Sequence, residues 1–137
     1  MNALTSGHRN KKIILVIEDD EKMRQALTEN LTDAGFEVMQ AESGTQGLQM
    51  APEMAPDLIL LDNRMPEMSG FEMLKRLRES SAWGEQVSVI FFSNIEASSR
   101  EERKDVESLG AAYYLLKVNT SMEDLVTKIR EILKIPR

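Results

Sequence analysis

The sequence predicts an α/β fold in which five parallel strands form one sheet with helices on both of its faces. Short apolar runs alternate along the chain with stretches whose apolar residues recur at helical spacing. Most of these runs are continuously apolar, which is typical of strands that are buried on both faces. No internal repeat or linker interrupts the alternation, and right-handed crossovers then give a doubly wound sheet. We therefore expect a single domain over residues 11–137, preceded by a flexible polar tail, residues 1–10.

The strands are predicted from apolar runs that end at polar or turn-forming residues. The first run is β-branched, the second alternates, and the third stops at an acid. The fourth run ends at a serine and the fifth at a lysine. The predicted strands are residues 13–17, 36–40, 58–61, 87–92 and 112–116.

The helices are predicted from apolar spacing and from residues that begin or end a helix. Gly35 ends the first helix, Ser43 caps the second, and Ser121 caps the last. We expect the second helix to be weak and to end before Pro52, and residues 80–86 to form a loop. The predicted helices are residues 21–34, 44–50, 70–79, 98–109 and 122–134.

The composition bounds the possible classes of function. Hydrophobic residues make up 42% of the chain, which is sufficient for one core, and the formal net charge is −6. This charge argues against a general nucleic-acid binder and leaves no polybasic patch for an anionic membrane. The absence of cysteine excludes disulfides, thiolate chemistry and Cys-ligated metals. No apolar run is long enough to span a membrane and no signal peptide precedes the first strand, so we expect a cytoplasmic protein.

Four consecutive acids, Glu18 to Glu21, follow the first strand. Two like charges 5 Å apart repel by about 3 kcal/mol at an effective dielectric constant near 20, so such a cluster needs an explanation. Helix capping explains Asp20 and Glu21, because acids are favoured at a helix N-terminus. Glu18 and Asp19 precede the cap, and for these two residues a cation site is the better hypothesis.

The third strand ends at Asp62, and a loop rich in Asn, Pro, Ser and Gly follows. Asp62 is therefore expected at the carboxyl edge of the sheet, where open α/β sheets place their ligand sites. A carboxylate at such a site can act as a covalent phosphoryl acceptor. We predict that Asp62 is a nucleophile that becomes phosphorylated.

Three other strand ends are expected at the same edge of the sheet. Glu18 and Asp19 follow the first strand, Ser93 follows the fourth, and Lys117 follows the fifth. Carboxylates from different strands, together with loop carbonyls, form a hard oxygen site that suits Mg²⁺. Lys117 would supply a cation and Ser93 a hydroxyl donor for a phosphoryl oxygen. Each residue alone could be an ordinary turn or surface residue, but their coincidence at four strand ends favours a site.

The chain resembles the response-regulator receiver domains of two-component signalling, and the resemblance covers residues 12–134. The stretches that carry it are residues 13–20 (IILVIEDD), 58–70 (LILLDNRMPEMSG), 89–94 (VIFFSN) and 110–117 (GAAYYLLK). The resemblance implies a flavodoxin-like doubly wound (βα)5 fold with the parallel sheet order 2-1-3-4-5.

The resemblance also implies roles for the residues at this edge. Asp62 matches the phosphoacceptor, and Lys117 matches the lysine that pairs with the acceptor and its phosphoryl group. Asp19 matches a direct Mg²⁺ ligand, while Glu18 matches an acid that acts on the ion through water. The backbone carbonyl of Arg64 would be a third protein ligand.

A conformational switch and its partners follow from the same resemblance. Ser93 matches the switch hydroxyl and Tyr114 the aromatic switch residue, whose movement would remodel the surface of the fourth helix, fifth strand and fifth helix. The implied phosphodonor is a histidine kinase or a phosphotransfer protein. We expect a stand-alone receiver, a monomer or weak dimer, that acts by binding an unknown protein partner and catalyses only its own phosphorylation and dephosphorylation.

Three features depart from the family pattern. Val118 follows the lysine where proline is usual, and a cis bond before a non-proline residue costs about 3–4 kcal/mol, so this loop is expected to differ or to be trans. Asn94 follows the switch hydroxyl where a small residue is usual. Arg64 and Ile95 occupy positions that border the path of the attacking water.

Three other hypotheses are compatible with parts of the pattern. A Mg²⁺-dependent phosphatase that acts through an aspartyl phosphate would carry a second acid two residues after its nucleophile, where this chain has Arg64. A flavodoxin-like cofactor carrier would have a phosphate-binding loop rich in Ser, Thr and Gly after the first strand, where the four acids would repel a phosphate. A receiver that works without phosphorylation would not need the full set of site residues.

Overall fold

The computed structural model describes residues 11–94 and 100–135, which form a five-stranded sheet flanked by helices. The strands are β1 (Ile13–Ile17), β2 (Glu37–Ala41), β3 (Leu58–Leu61), β4 (Ser88–Ser93) and β5 (Tyr113–Leu116). The longer helices are α1 (Glu21–Asp33), α2 (Gly44–Met54), α3 (Gly70–Ser80), α4 (Arg100–Ser108) and α5 (Met122–Leu133).

All neighbouring strands are parallel, and their order is β2-β1-β3-β4-β5. The predicted fold class and sheet order are therefore confirmed. The register pairs Ile17 with Leu61 and Leu61 with Phe91, so β1, β3 and β4 reach the same level at their carboxyl ends. Ser93 in turn pairs with Leu116 of β5. The residues that follow these strands consequently lie along one edge of the sheet.

Alternate residues of the central strands face two separate cores, as expected for a sheet covered on both faces. Leu15 and Leu61 pack on one face with buried residues of α2, α3 and α4. Val16 and Leu60 pack on the other face with buried residues of α1 and α5. Each of these fully buried side chains contributes about 2 kcal/mol of hydrophobic stabilisation, so the central strands form a rigid base for the loops at their ends.

The prediction of a loop over residues 80–86 is wrong, because the structure has a short helix there, Ala82–Gln86. The serine before it caps the helix by accepting a hydrogen bond from the Gly84 N–H at 3.0 Å. A Cβ atom at Gly84 would lie 2.1 Å from the carbonyl oxygen of Leu77 in α3. The short helix therefore depends on a close approach to α3 that a glycine permits, and helical spacing does not reveal such an approach.

The second helix is longer than predicted, because α2 continues through Pro52 to Met54. Proline removes one backbone donor, but its fixed φ angle is compatible with a helix. The preceding residue, Ala51, is fully buried in the core and fixes this turn against the sheet. Ala55 then ends the helix in the left-handed region, with φ 44°, and donates its N–H to the Ala51 carbonyl at 2.8 Å.

The other predicted boundaries are confirmed to within one residue wherever the structure describes them. The predicted tail, residues 1–10, lies outside the described residues, as do Ile95 and the start of the predicted fourth helix at Ser98. In the part of the chain that is described, no helix combines the length and apolar character needed to cross a membrane.

Candidate functional site

Three carboxylates meet at the carboxyl edge of the sheet, in loops that follow β1 and β3. Glu18, Asp19 and Asp62 each place one carboxylate oxygen so that all three atoms lie within 4.8 Å of one another. Glu18 and Asp62 are almost fully buried, at 1% and 6% exposure, whereas Asp19 is exposed. The structure thus brings together the acids that the sequence predicted as a cation site.

The sheet itself positions two of these acids. The Glu18 N–H donates to the carbonyl of Ala41 in β2 at 3.1 Å, and the Asp62 N–H donates to the carbonyl of Ile17 in β1 at 3.0 Å. Hydrogen bonding therefore continues one residue beyond the strands, which fixes the backbone of both acids. Their backbones cannot separate without breaking this extension of the sheet.

Arg24 supports the first acidic loop from α1, and the sequence analysis missed it. Its Nη1 atom donates to the backbone carbonyl of Glu18 at 2.8 Å, and the side chain is buried at 9% exposure. Arg24 lies in line with the buried residues Leu27 and Leu31 on the inward face of α1. A charged residue at an inward helical position was the signal that could have found it.

Capping explains Asp20 as predicted. Its side chain accepts a hydrogen bond from the Met23 N–H at 2.9 Å, which satisfies one unpaired donor at the start of α1. Glu21 lies in the first turn, where a negative charge is favoured by the helix dipole. The Asp20 N–H also donates to Glu18 Oε2 at 3.1 Å, so the capping residue helps to orient the buried acid.

Lys117 extends from the end of β5 into the acidic cluster. Its Nζ atom lies 2.5 Å from Glu18 Oε1 and 3.8 Å from Asp62 Oδ1. In this structure the ammonium is thus paired more closely with Glu18 than with Asp62. The Lys117 side chain is only 7% exposed, so this ion pair is shielded from water.

Ser93 and Arg64 complete the surroundings of Asp62. Hydrogen bonding by the Ser93 side chain and by the Arg64 backbone lowers the pKa of Asp62, and Ser93 is fully buried. The Arg64 side chain is exposed at the rim. The predicted role of the Arg64 carbonyl as a metal ligand stays a prediction.

Burial is the main cause of the pKa shifts of the two buried acids, Glu18 and Asp62. It raises the pKa of Glu18 to about 7, and the nearby Asp62 charge adds to this effect, although the bond from Lys117 opposes it. Burial also raises the pKa of Asp62, against the lowering effects of Lys117 and Ser93. The acids are therefore held close together at an energetic cost that the lysine only partly offsets.

An open cavity of about 260 Å³ gives access to the acids from solvent. It is lined by Glu18, Asp19, Asp20, Met23, Asp62, Arg64, Asn94 and Lys117. These acids supply oxygen ligands from two loops, and Asp19 is exposed to the cavity. Such ligands suit a hard divalent cation such as Mg²⁺. The donor set therefore fits that ion chemically.

Tyr114 lies on β5 with its hydroxyl pointing toward the loop after β3. Its ring stacks on Phe91, with centroids 5.4 Å apart and an interplanar angle of 23°. Its hydroxyl accepts a hydrogen bond from Nδ2 of Asn63 at 3.3 Å. Asn63, the buried residue after Asp62, was not identified from the sequence. An amide directly after the candidate nucleophile, where a strand core ends, was the available signal.

The loop after Lys117 forms a single 3₁₀ turn, Lys117–Asn119. The described residues contain no cis peptide bond, so the bond before Val118 is trans. The Val118 side chain is 76% exposed beside the site, and Asn94 is exposed at the cavity rim. Asn94 therefore lines the cavity, whereas Val118 follows Lys117 along the chain and is not among the residues that line it.

Comparison with curated proteins finds relatives that are longer than this chain. The chain is 30% identical over 122 residues to a protein-glutamate methylesterase/protein-glutamine glutaminase of Archaeoglobus fulgidus. This alignment covers 88% of the chain and 34% of the relative. The chain is 31% identical over 121 residues to the probable transcriptional regulatory protein SilR of Salmonella typhimurium, covering 88% and 50%. The chain thus spans about a third to a half of the length of these relatives.

Solved structures of similar length have the same fold. The chemotaxis protein CheY4 of Vibrio cholerae superposes with a TM-score of 0.80 at 27% identity, covering 89% of this chain and 98% of that one. A CheY-like response regulator receiver domain protein from Methanospirillum hungatei gives 0.82 at 26% identity, covering 91% and 95%. The family model for the response regulator receiver domain matches residues 14–130. The chain therefore belongs to the response-regulator receiver domains of two-component signalling.

Proposed function

We propose that this receiver domain is a phosphorylation-activated switch in which Asp62 accepts a phosphoryl group from a phosphohistidine donor. The observation that carries the proposal is the convergence of Glu18, Asp19 and Asp62 within 4.8 Å. Lys117 and Ser93 add an ammonium and a hydroxyl from two further strand ends to the same cluster. This combination provides a nucleophile and the means to neutralise a phosphoryl group at one site.

The transfer uses Asp62 as the nucleophile. A carboxylate oxygen forms a bond to phosphorus while the bond between phosphorus and the imidazole nitrogen of the donor breaks, and the nitrogen keeps that electron pair. The buried Ser93 hydroxyl can then donate to a phosphoryl oxygen instead of the free carboxylate. The Lys117 ammonium, 3.8 Å from Asp62 Oδ1, is near enough to pair with the added charge.

The acidic cluster would hold Mg²⁺ during this transfer. Asp19 and Asp62 would bind the ion directly, the Arg64 carbonyl would be a further ligand, and Glu18 would act through water. When bound, the ion supplies positive charge that lowers the repulsion between the acids and the incoming phosphoryl group. The raised pKa values of Glu18 and Asp62 support this assignment, because they reflect the cost of ionising buried carboxylates, which a bound cation would lower.

The output is proposed to run through Tyr114 to the surface formed by α4, β5 and α5. Loss of the hydrogen bond from Ser93 to the free Asp62 carboxylate would couple phosphorylation to Tyr114 on the neighbouring strand. An unknown protein partner would bind the remodelled surface, and a histidine kinase or a phosphotransfer protein in the cytoplasm would be the donor. We propose that the domain catalyses only its own phosphorylation and dephosphorylation.

The experiment is phosphorylation by acetyl phosphate with Mg²⁺, resolved on a phosphate-affinity gel. We expect a retarded band for the unmodified chain and none for D62N, because the amide is not a nucleophile for this transfer. The matched control is E67Q, which makes the same acid-to-amide change at an exposed acid of the same loop and should retain the band. A band in D62N would contradict the proposal, and steady turnover of a small phosphate ester would favour the phosphatase hypothesis instead.

A further inference from the structure

We propose that Asn63 is a positioning residue that holds the Tyr114 hydroxyl inward and ties it to the start of α3. The inference rests on the proposed function, because it names the residue that sets the resting state of the switch. Asn63 follows Asp62 along the chain and contacts Tyr114 of β5 in space. One residue therefore joins the candidate acceptor to the candidate switch.

The two ends of the Asn63 amide make different hydrogen bonds. Nδ2 donates to the Tyr114 hydroxyl at 3.3 Å, and Oδ1 accepts from the Phe71 N–H in the first turn of α3 at 3.0 Å. The Asn63 backbone carbonyl also accepts from the Gly70 N–H at 3.0 Å. Asn63 is only 4% exposed, and buried polar atoms are stable when they are paired. The inward position of Tyr114 thus satisfies a donor that is nearly out of reach of water.

Within the part of the chain that the structure describes, Tyr114 makes contacts of different kinds with Phe91 and Asn63. Its ring stacks on Phe91, a contact that favours the inward position but does not fix the hydroxyl. The hydrogen bond from Asn63 is directional and is lost when the hydroxyl moves away. Asparagine suits this place because it offers a donor and an acceptor at once, whereas valine offers neither and serine is too short to reach the hydroxyl.

This arrangement couples three parts of the protein through one side chain. A shift of the Asp62 backbone moves Asn63 directly, because the two residues share a peptide bond. The first turn of α3 follows, since two of its N–H groups donate to Asn63. Tyr114 is then released or retained according to whether the amide stays in reach of its hydroxyl.

The orientation of Tyr114 can be measured directly because the chain has only two tyrosines. In a Y113F background, 3-fluorotyrosine labelling leaves one ¹⁹F resonance, which reports Tyr114 alone. We expect N63S to raise the outward fraction about fivefold, as for the loss of one ordinary hydrogen bond. This would be seen as stronger broadening by a soluble gadolinium chelate. Equal broadening in N63S and its parent overturns the proposal.

S69A is the matched control for fraying of α3. The Ser69 hydroxyl accepts from the Glu72 N–H at 3.1 Å, so it caps the same helix without bonding Tyr114. We expect the S69A resonance to remain as protected as that of the parent, and an equal response in S69A and N63S would overturn the positioning role. N63V removes both amide bonds with an apolar side chain of similar size, and it must expose Tyr114 at least as strongly as N63S does.

These measurements need no phosphoryl donor, so they separate this inference from the proposed function. Acetyl phosphate and Mg²⁺ are added to the parent afterwards, and the Tyr114 resonance is recorded again. If the parent does not respond while N63S exposes Tyr114, the positioning role stands and the proposed function fails. If the parent responds to the donor, but the broadening of the Tyr114 resonance before the donor is added is the same in N63S as in the parent, the positioning role alone fails.

Discussion

Replacement of Gly70 by alanine tests how closely α3 approaches the proposed phosphoryl acceptor. Gly70 is the first residue of α3, and a Cβ atom there would lie 2.3 Å from the Asp62 carbonyl oxygen and 3.0 Å from the Asn63 Cα. Both are backbone atoms, so neither can rotate away as a flexible side chain would. The start of α3 and the loop after β3 must therefore separate by about 1 Å to restore a normal contact.

The expected loss of stability follows from these contacts. Overpacking a close contact of this kind costs about 1–3 kcal/mol. The separation also weakens the hydrogen bonds that Asn63 accepts from the N–H groups of Gly70 and Phe71, each worth about 1 kcal/mol. We expect G70A to lower the free energy of unfolding by about 3 kcal/mol, which corresponds to a fall of about 10 °C in Tm.

Gly44 provides the matched control, because it also begins a helix directly after a capping serine. The three atoms nearest to a Cβ at Gly44 all belong to the Met68 side chain, the closest at 3.2 Å, and this side chain can move. We expect G44A to change the free energy of unfolding by less than about 1 kcal/mol, helped by the higher helix propensity of alanine. Urea unfolding measures both variants. A G70A variant as stable as G44A would refute the reasoning.

Two further predictions concern a buried acid and a partly buried cation. Because the folded pKa of Glu18 is raised to about 7, the folded state binds this proton more tightly than the unfolded state, so the stability of metal-free protein should fall by roughly 3 kcal/mol as the pH rises from 4.5 to 7. E18Q should reduce this slope in guanidinium unfolding with EDTA, leaving the smaller part that the raised pKa of Asp62 contributes, and an unchanged slope would contradict the assignment. Arg78 donates to four backbone carbonyls in two stretches of the chain, residues 84–87 and 109–110, so R78K should lose about 2 kcal/mol of stability in urea. R76K, at an exposed ion pair with Glu72, should lose almost none, and equal losses would count against the role given to Arg78.

The parts of the fold that the sequence predicts are those in which local pattern and burial agree. The central run Leu58–Leu61 is continuously apolar and is buried on both faces, so no alternative assignment competes with a strand. Pro52 shows the opposite case, because its local signal ends a helix while the burial of Ala51 keeps the turn in place. The short helix after α3 was missed because it depends on the space above the Leu77 carbonyl, which is set by tertiary packing.

In the candidate site, too, some residues can be predicted from the sequence and others cannot. Glu18 and Asp62 can be predicted because each ends an apolar run, and parallel strands bring such ends to one edge. The sequence could draw attention to Arg24 and Asn63 but could not assign their roles, because their partners are backbone atoms or side chains that only the fold brings near. Sequence patterns therefore identify the candidate reacting groups, whereas the residues proposed to orient the site are found from three-dimensional contacts.

The charges of the site explain why a divalent cation fits it better than a second lysine would. Glu18, Asp19 and Asp62 carry three negative charges when ionised, and Lys117 supplies one positive charge, which leaves a deficit of two. A second ammonium would have to be buried and hydrogen-bonded at its own desolvation cost, and it would still leave one negative charge. A divalent ion entering from the cavity would bring both charges at once, and it would keep part of its hydration shell because Asp19 is exposed to solvent. The divalent requirement that we expect in the phosphorylation assay is thus a consequence of the charge balance among these four residues.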